Sequence, residues 1–362
     1  MDIQSAQALR LQAHGITAPL PDALAVTERL GALQAQDYTN ALWALGLRTA
    51  SASQADIEQA LSQRKIIRTW PMRGTLHIIP AADARWMLNL LTPRIIARSA
   101  TRHRMLDLDA EVFATANAVL TRVLADGKPV RRDALFTALQ QAGIATDNQR
   151  GYHILLKASQ ETLICLGPPD GKQPTFVLFD AWVTQSNTPS RDEGLAILAD
   201  RYFGGHGPAR ISDFAGWANL TMADAKRGIA GAGSALTTVS VEGIEHWMHA
   251  GATVKSATPE ALHLLPGFDE YILGYKDRSL IFTDTAHLSR IVPGSNGVFL
   301  PTIIKGGHVV GTWKRVVSKS AVHISLTTFD APFSAQDRQQ LHVRAERYAT
   351  FLGSDLGTVD FL

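Results

Sequence analysis

Apolar and polar residues follow one another along the chain in a pattern that predicts helix, turn, helix and β-hairpin in series. The clearest copy begins with a helix over residues 209–220. Thr221 then offers an N-cap for a second helix over residues 222–231. The residues that follow are strand-like on both sides of Glu242-Gly243, which predicts a hairpin with a two-residue turn.

Two earlier parts of the chain show the same order of elements. In the second, helices over 130–143 and 147–161 precede two strands around a Pro-Asp-Gly turn. In the first, which is less regular, helices over 27–36, 40–47 and 54–65 precede strand, turn and strand over 66–80. A helix–turn–helix followed by a β-wing is a winged helix, so the pattern predicts three winged helices in series.

The character of the chain changes near residue 262, where short apolar runs alternate with Gly and Pro turns. This pattern predicts a small β-barrel or a curled sheet, and residues 335–351 are predicted to form a closing helix. The predicted fold is therefore α+β, mainly α, with three tandem winged-helix units, a C-terminal β-barrel and a terminal helix. The predicted limits are 1–90, 91–187 and 188–258 for the winged helices, 259–332 for the barrel and 333–362 for the C-terminal helix and tail.

Composition excludes several classes of protein. The 362 residues contain no apolar run of the roughly 20 residues that a membrane helix needs, and the N-terminus has no signal-peptide pattern. Cys165 is the single cysteine, and the histidines show no metal-ligand spacing, so we expect neither disulfide nor metal. The Gly-rich stretch 204–207 is not followed by Lys-Ser/Thr, and no cofactor is expected. A cytoplasmic bacterial protein is the expectation.

The net charge of +2 conceals a strongly uneven distribution. The windows 59–82, 84–106 and 285–329 hold 14 basic residues and no acidic one, which leaves −12 for the rest of the chain. Arg94, Arg98 and Arg102 lie four residues apart, so a helix would place them on one face. Such a face suits a phosphate backbone, although basic helix faces are also often simply solvated and neutralised by acids elsewhere.

The stretch 33–38, Leu-Gln-Ala-Gln-Asp-Tyr, is chemically unusual. On a regular helix Gln34 and Gln36 would point about 200° apart, but near a helix end their amides could converge. Asp37 is a possible cap for the helix that begins near Asn40. Spacing alone favours a polar helix end that has no function.

The chain resembles the AlkZ-like/YcaQ-like winged-helix DNA glycosylases over nearly its whole length. The resemblance rests on Leu-Gln-Ala-Gln-Asp-Tyr, on residues 68–80 (RTWPMRGTLHIIP) and on two segments of the C-terminal third, LLPGFDEYILGYKDR and GVFLPTIIKGGHVVGTWKR. The family's catalytic motif falls where Gln34 and Gln36 stand, and Gln-x-Gln is the form found in the AlkZ-like branch. The family architecture implies that the winged helices and barrel form a concave DNA-binding surface.

The resemblance implies hydrolysis of the N-glycosidic bond of N7-alkylated purines in duplex DNA, extending to bulky adducts and interstrand crosslinks. An N7-alkylpurine is already cationic, so it leaves without a strong general acid, and water needs positioning more than deprotonation. A Gln side chain can both accept from and donate to such a water. Asp37 could stabilise the cationic sugar, or it could only cap the next helix.

The first wing is the other candidate element of the site. Arg73, Thr75 and His77 alternate and would share one strand face, either gripping DNA or lying in solvent, whereas Trp70 is expected in the core. The residues predicted to bind DNA are Arg64, Lys65, Arg68, Arg73, Thr75, His77, Arg94, Arg98, Arg102, Lys314 and Arg315.

Two other functions fit the same elements. A non-enzymatic winged-helix regulator would use the same helices and charge, although regulators of this type are usually dimers. A protein-interaction scaffold would use the units as spacers. We expect a monofunctional glycosylase, monomeric and nucleoid-associated, that acts on double-stranded DNA with alkylated bases and needs no membrane or obligate protein partner.

Overall fold

The computed structural model describes residues 1–254, 260–282, 284, 286–295 and 297–362. In chain order its α-helices are α1 Ile3–Ala13, α2 Ala23–Leu30, α3 Tyr38–Arg48, α4 Gln54–Ser62, α5 Ala84–Met105, α6 Ala110–Val123, α7 Arg132–Gln141, α8 Arg150–Gln160, α9 Phe179–Trp182, α10 Arg191–His206, α11 Ile211–Trp217, α12 Met222–Ala232, α13 Glu270–Leu273, α14 Ala286–Ile291 and α15 Ala335–Leu352. None of these helices is long and apolar enough to cross a membrane.

The strands in the described part of the chain are mostly short. In chain order they are β1 Leu33–Gln34, β2 Ile66–Met72, β3 Thr75–Pro80, β4 Val130–Arg131, β5 Ile164–Leu166, β6 Thr175–Leu178, β7 Leu236–Val241, β8 Ile244–His249, β9 Leu262–Leu265, β10 Thr302–Lys305, β11 His308–Val317, β12 Ala321–Thr328 and β13 Asp355–Phe361. Helices account for 48% of the chain, so the fold is mixed α/β with helix predominant.

The chain divides into two compact units, which are described separately. Unit 1 is Met1–Ile57 with Leu195–Leu362, and unit 2 is Glu58–Gly194. The limits of the units fall inside α4 and α10. The predicted limit at 90/91 falls inside α5, and the predicted limit at 258/259 lies outside the described residues. The five sequence-based segments therefore remain a prediction.

Unit 2 surrounds an antiparallel sheet in the order β3-β2-β5-β6-β4. Its core contains Trp70, which is buried as expected and stacks on Phe176 with the ring planes 8° apart. Helices α6, α7 and α8 supply further apolar residues, such as Leu120, Leu139 and Ile154. Helices α7 and α8 and the hairpin β5–β6 are the elements predicted for the second copy of the pattern.

The third copy of the pattern, in unit 1, is confirmed element by element. Thr221 caps α12 by accepting a hydrogen bond from the Asp224 N–H. Strands β7 and β8 pair antiparallel across a turn in which Glu242 and Gly243 have φ of 49° and 78°. Two successive positive φ values define the turn type that best matches the twist of a two-residue hairpin.

The C-terminal sheet forms a half-barrel, which agrees more closely with the predicted curled sheet than with a β-barrel. Its five strands lie in the order β13-β12-β11-β10-β9, with β12 and β13 parallel and the other pairs antiparallel. Helix α15 contacts both edge strands, β9 and β13, and Tyr348 packs edge-on against Trp313 of β11. Helix α15 therefore covers the apolar face of the sheet, which would be buried inside the barrel if the barrel closed. The predicted tail after α15 includes the strand β13.

The prediction of one helix over 27–36 was wrong. Helix α2 ends at Leu30, and Gly31 follows with φ of 76°. A left-handed glycine is a common helix terminator, because its missing Cβ removes the steric penalty. The chain then turns into β1 before α3 begins, so Gln34 lies in a strand and not at a helix end.

A fully buried ion pair stabilises unit 1 at the C-terminal end of α3. Arg48 donates two hydrogen bonds to the Asp269 carboxylate, at 2.8 and 2.7 Å, and both side chains are completely excluded from solvent. Asp269 also accepts from the Tyr271 N–H and so caps α13. Removing one partner of such a pair leaves an uncompensated charge in a medium that solvates it poorly.

We therefore expect Arg48→Met to lower the free energy of unfolding by about 3–5 kcal/mol, measured by urea denaturation. Lys128→Ala provides the control, because its ammonium group is exposed and only 3.7 Å from an exposed Asp126 carboxylate. Exposed pairs contribute about 0–1 kcal/mol. Equal effects of the two substitutions would contradict the structural role given to Arg48.

Candidate active site and nucleic-acid interface

The amide motif is not helical: Gln34 ends strand β1 and Gln36 lies in the bend before α3, and burial alternates along the motif. Leu33 and Ala35 are completely buried. Gln34 is half-buried and Gln36 is exposed. Both amides are therefore at least partly open to solvent, whereas their apolar neighbours are not. This geometry removes the obstacle that a regular helix would have created.

A buried carboxylate holds the backbone of the motif from behind. The Gln34 N–H donates a 3.0 Å hydrogen bond to Oε1 of Glu270, whose side chain is 1% exposed. The second oxygen, Oε2, accepts from Nε1 of Trp217 at 3.0 Å. Both oxygens of this carboxylate are thus engaged by N–H donors, as a buried charge requires.

Asp37 is exposed and caps α3. Its Oδ1 accepts a 2.9 Å hydrogen bond from the Asn40 N–H. The Asn40 side chain faces the C-terminal sheet, where its Oδ1 accepts from Arg315 at 2.9 Å. Asn40 therefore links the cap beside the amide motif to strand β11.

Arg315 and Asp37 also affect the pKa of a buried tyrosine, Tyr348. Burial raises the pKa of Tyr348 to about 12, with Arg315 opposing this shift and Asp37 adding to it. The Arg315 guanidinium lies 5.7 Å from the centre of the Tyr348 ring. Asp37 and Arg315 thus both interact electrostatically with Tyr348 within unit 1.

Lys314 and Arg315 do not share a surface. Neighbouring residues on a strand point to opposite faces of the sheet. Lys314 is exposed, whereas Arg315 is half-buried against α3 and α15. Of these two residues predicted to contact DNA, Arg315 is the one that lies near the amide motif, because it donates to Asn40 beside the Asp37 cap.

The basic helix predicted in unit 2 is α5, which holds Arg94, Arg98 and Arg102 on consecutive turns as the spacing predicted. Arg94 and Arg98 are exposed. Arg102 is half-buried and donates a 3.0 Å hydrogen bond to Oε1 of Gln149. Two of the three guanidinium groups are therefore presented to solvent.

The predicted alternation in the first wing was wrong in part. Arg73 lies in the turn before β3, with φ of 57°, and not on the strand with Thr75 and His77. His77 is fully buried: its Nδ1 is 2.9 Å from the Thr75 carbonyl oxygen and its Nε2 is 3.1 Å from a guanidinium nitrogen of Arg73. Because the guanidinium only donates, Nε2 is the acceptor and the proton is on Nδ1. His77 thus supports Arg73 instead of offering its own surface to DNA.

The remaining predicted contacts of unit 2 lie at the start of β2. Lys65 is exposed and Arg68 is half-buried. Arg64 is exposed, but it donates to the Ala181 carbonyl oxygen at 3.2 Å and lies 4.3 Å above the Trp182 ring. Arg64 is therefore held by its own unit as well as being accessible.

Sequence reasoning missed the residues behind the motif: Glu270, Trp217 and Asn40. The available signal was an acidic pair, Asp269-Glu270, inside a stretch that is otherwise largely apolar. Acidic residues of that kind are buried only when they are paired. Within the described ranges, no three His, Cys, Asp or Glu side chains come together as a metal site.

Comparison with known proteins identifies the family. The family described as "DNA glycosylase AlkZ-like" matches residues 27–351. The chain belongs to the AlkZ-like DNA glycosylase family. It is accordingly a DNA glycosylase, a hydrolase acting on N-glycosyl bonds.

Two similar proteins come from Streptomyces sahachiroi. This glycosylase is 28% identical over 346 residues to a protein named "Interstrand DNA cross-link repair glycosylase", covering 89% of this chain and 90% of that one. It also matches the solved structure of Streptomyces sahachiroi DNA glycosylase AlkZ with a TM-score of 0.83 and 24% identity, over the full length of both chains. The structural match shows that the two share a fold.

The cap on α3 yields a stability prediction. Replacing Asp37 by Ala removes the acceptor for the Asn40 N–H and should lower the free energy of unfolding by about 1 kcal/mol in urea denaturation. Asp37→Asn should retain most of that stability, because Asn is also a good N-cap. Asp22→Ala, which removes the matching cap on α2, should cost about as much. Wild-type stability of Asp37→Ala would show that the cap is not formed.

Proposed function

We propose that this glycosylase hydrolyses the N-glycosidic bond of N7-alkylated purines in duplex DNA, with water positioned by Gln34 and Gln36. The observation that carries the proposal is that the motif is not helical: Gln34 lies on β1 and the exposed Gln36 lies in the bend before α3, so a helix does not hold the two amides on opposite faces. Each amide has a carbonyl oxygen that accepts and an NH2 group that donates. Together they can orient a water molecule without removing its proton.

Neutral amides suit a leaving group that is already cationic. The C1′–N9 bond breaks with its electron pair going to the alkylated base, which becomes neutral as it leaves. The sugar passes through an oxocarbenium-like state, and the water oxygen bonds to C1′ and releases a proton to solvent. Holding water at the reacting carbon is an orientation effect, which can be large when the geometry is right. Amides do not titrate near neutral pH, so unmodified bases should not be removed.

Asp37 is a third member of the proposed site. One of its oxygens caps α3, yet a carboxylate has about four acceptor positions, so capping leaves capacity for a second task. An exposed negative charge next to the amides would stabilise the developing cationic sugar. Arg315, held by Asn40 in the same unit, would bind a phosphate beside the lesion.

We further propose that each copy of the helix–helix–hairpin pattern is a winged helix, and that the chain consists of the five segments predicted from the sequence. Exposed basic side chains on α5, and Arg64 and Lys65 just before the first wing, would neutralise phosphates. The enzyme would act as a monofunctional monomer on nucleoid DNA. The relative named for interstrand cross-link repair supports extending the substrates to bulky adducts and crosslinks.

The amide motif gives the first test of this function. Gln34→Ala and Gln36→Ala should each reduce the single-turnover rate of N7-methylguanine release at least roughly 100-fold, because water positioning is lost. Release is measured as alkali-induced strand breaks at the abasic sites, with enzyme in excess over DNA. Gln141→Ala, which changes an exposed Gln at the end of α7, is the control.

Tight DNA binding by the wild-type enzyme without base release would contradict glycosylase activity on this lesion. Wild-type rates in both Gln variants would contradict the role given to the motif.

The exposed face of α5 gives the second test. Replacing Arg94 and Arg98 together by Gln should weaken DNA binding and make it less salt-dependent. The slope of log K against log salt should fall by about 0.9 for each phosphate that the variant no longer neutralises. Fluorescence anisotropy at several salt concentrations measures both quantities. The control replaces two exposed cations of the same unit, Arg122 and Lys128, by Gln. Equal slopes for the two double variants would exclude α5 from the interface.

A further inference from the structure

A buried polar cluster lies directly behind the amide motif, and the reaction as proposed above does not use it. Its centre is the carboxylate of Glu270, surrounded in unit 1 by Trp217 of α11, His206 of α10 and the peptide N–H of Gln34. Glu270 and His206 are 1% and 0% exposed. A carboxylate so deeply buried is costly unless each partner is well placed, so its position is tightly determined.

His206 closes the cluster from the third side. Its Nδ1 is 3.1 Å from the Tyr202 carbonyl oxygen, and its Nε2 is 3.7 Å from Oε2 of Glu270. Burial lowers the pKa of His206, although the neighbouring Glu270 opposes that shift. The ring donates from Nδ1 to the Tyr202 carbonyl oxygen, and its Nε2 lies beside the carboxylate at a distance longer than a hydrogen bond.

The groups around the cluster leave little room for movement. Tyr202 stacks on His206 with ring centres 4.5 Å apart and planes 12° apart. At Gly274 a Cβ would lie 2.5 Å from Cδ2 of His206 and 2.7 Å from the Glu270 carbonyl oxygen, so even one methyl group does not fit. The cluster is thus packed rigidly against its neighbours, which is what a support for a reactive group requires.

We propose that Glu270 is a positioning residue for base excision: its carboxylate fixes the Gln34 peptide, and through it the direction of the Gln34 amide, without touching DNA. The inference rests on the proposed function, because it assigns Glu270 a task only if Gln34 takes part in the reaction. The contact that carries it is the 3.0 Å hydrogen bond from the Gln34 N–H to Oε1. Side chains that orient a reacting group in this way are typically worth 10- to 100-fold in activity.

The alternative is a carboxylate that only stabilises the fold, and the chain contains a matched example. Asp213 is also buried in unit 1, and its Oδ1 accepts from the N–H groups of Lys276 and Asp277 at 3.0 Å each. It has the same kind of backbone partners as Glu270 but makes none of its hydrogen bonds to the amide motif. Asp213→Asn is therefore the control for loss of stability alone.

The test compares Glu270→Gln with Asp213→Asn in three measurements: single-turnover release of N7-methylguanine at saturating enzyme, DNA affinity, and the midpoint of urea unfolding. A neutral Gln keeps the size of the side chain, but its NH2 group must face either the Trp217 N–H or the Gln34 N–H, which breaks one of the two hydrogen bonds. Glu270→Gln should lower the rate roughly 10- to 100-fold with DNA affinity nearly unchanged. Asp213→Asn should lower the unfolding midpoint while its rate stays at the wild-type value.

Glu270→Asp provides the same test if the Gln variant does not fold, because it keeps the charge but shortens the reach to Gln34. A wild-type rate in the folded Glu270 variant, or rate losses in the Glu270 and Asp213 variants that simply follow stability, would overturn the inference. Gln34→Ala is measured alongside. If Gln34→Ala retains activity, the proposed function of the motif fails; if it is inactive while the Glu270 variant is fully active, only the role of Glu270 fails.

Discussion

Two adjacent buried carboxylates, Asp269 and Glu270, organise the part of the molecule on which the site depends. Asp269 pairs with Arg48 at the end of α3, after the amide motif. Glu270 accepts from the Gln34 N–H, before α3 begins. One dipeptide therefore fixes the chain on both sides of the segment that carries Gln36 and Asp37. Because a buried carboxylate without partners is costly, this arrangement permits few alternatives to the observed path of the backbone.

The same arrangement explains how an exposed motif can be well ordered. Gln36 and Asp37 are open to solvent, where side chains usually sample several conformations. Their backbone, however, lies between the Glu270 hydrogen bond and the N-cap of α3, and Asn40 connects that cap to Arg315 of the half-barrel. A reaction that orients water instead of using a strong base depends mainly on a fixed position of the orienting side chains. The proposed chemistry and the observed scaffold are consistent in this respect.

Local features of the fold could be predicted from the sequence. Thr221 as a cap, the turn at Glu242-Gly243 and the arginines on one face of α5 depend on residues close together in the chain. The helix assigned to 27–36 failed because the left-handed conformation of Gly31 outweighs apolar periodicity. The C-terminal sheet forms a half-barrel with α15 against both of its edge strands, and the sequence pattern could not show that contact because α15 is distant from β9 along the chain.

Only the surface residues of the site could be predicted from the sequence. Gln34, Gln36 and Asp37 are contiguous and chemically unusual, so the sequence draws attention to them. Their supports come from positions more than 200 residues away: Glu270 lies 236 residues from Gln34, and Arg315 lies 275 residues from Asn40. No periodicity or spacing rule reports contacts of that separation. The burial of His77 could not be predicted for a similar reason. Alternation along a strand predicts which face a side chain is on, but not which other residues cover that face.

The central claim is that neutral amides suffice because the leaving base is cationic. The most direct test measures single-turnover excision by the wild-type enzyme from two duplexes, one containing N7-methylguanine and the other 7-deaza-7-methylguanine. The second base has nearly the same shape and the same methyl group but no positive charge. We expect release of the first base, with the second bound and not released. Comparable release of both would require a general acid and would contradict catalysis by neutral amides alone.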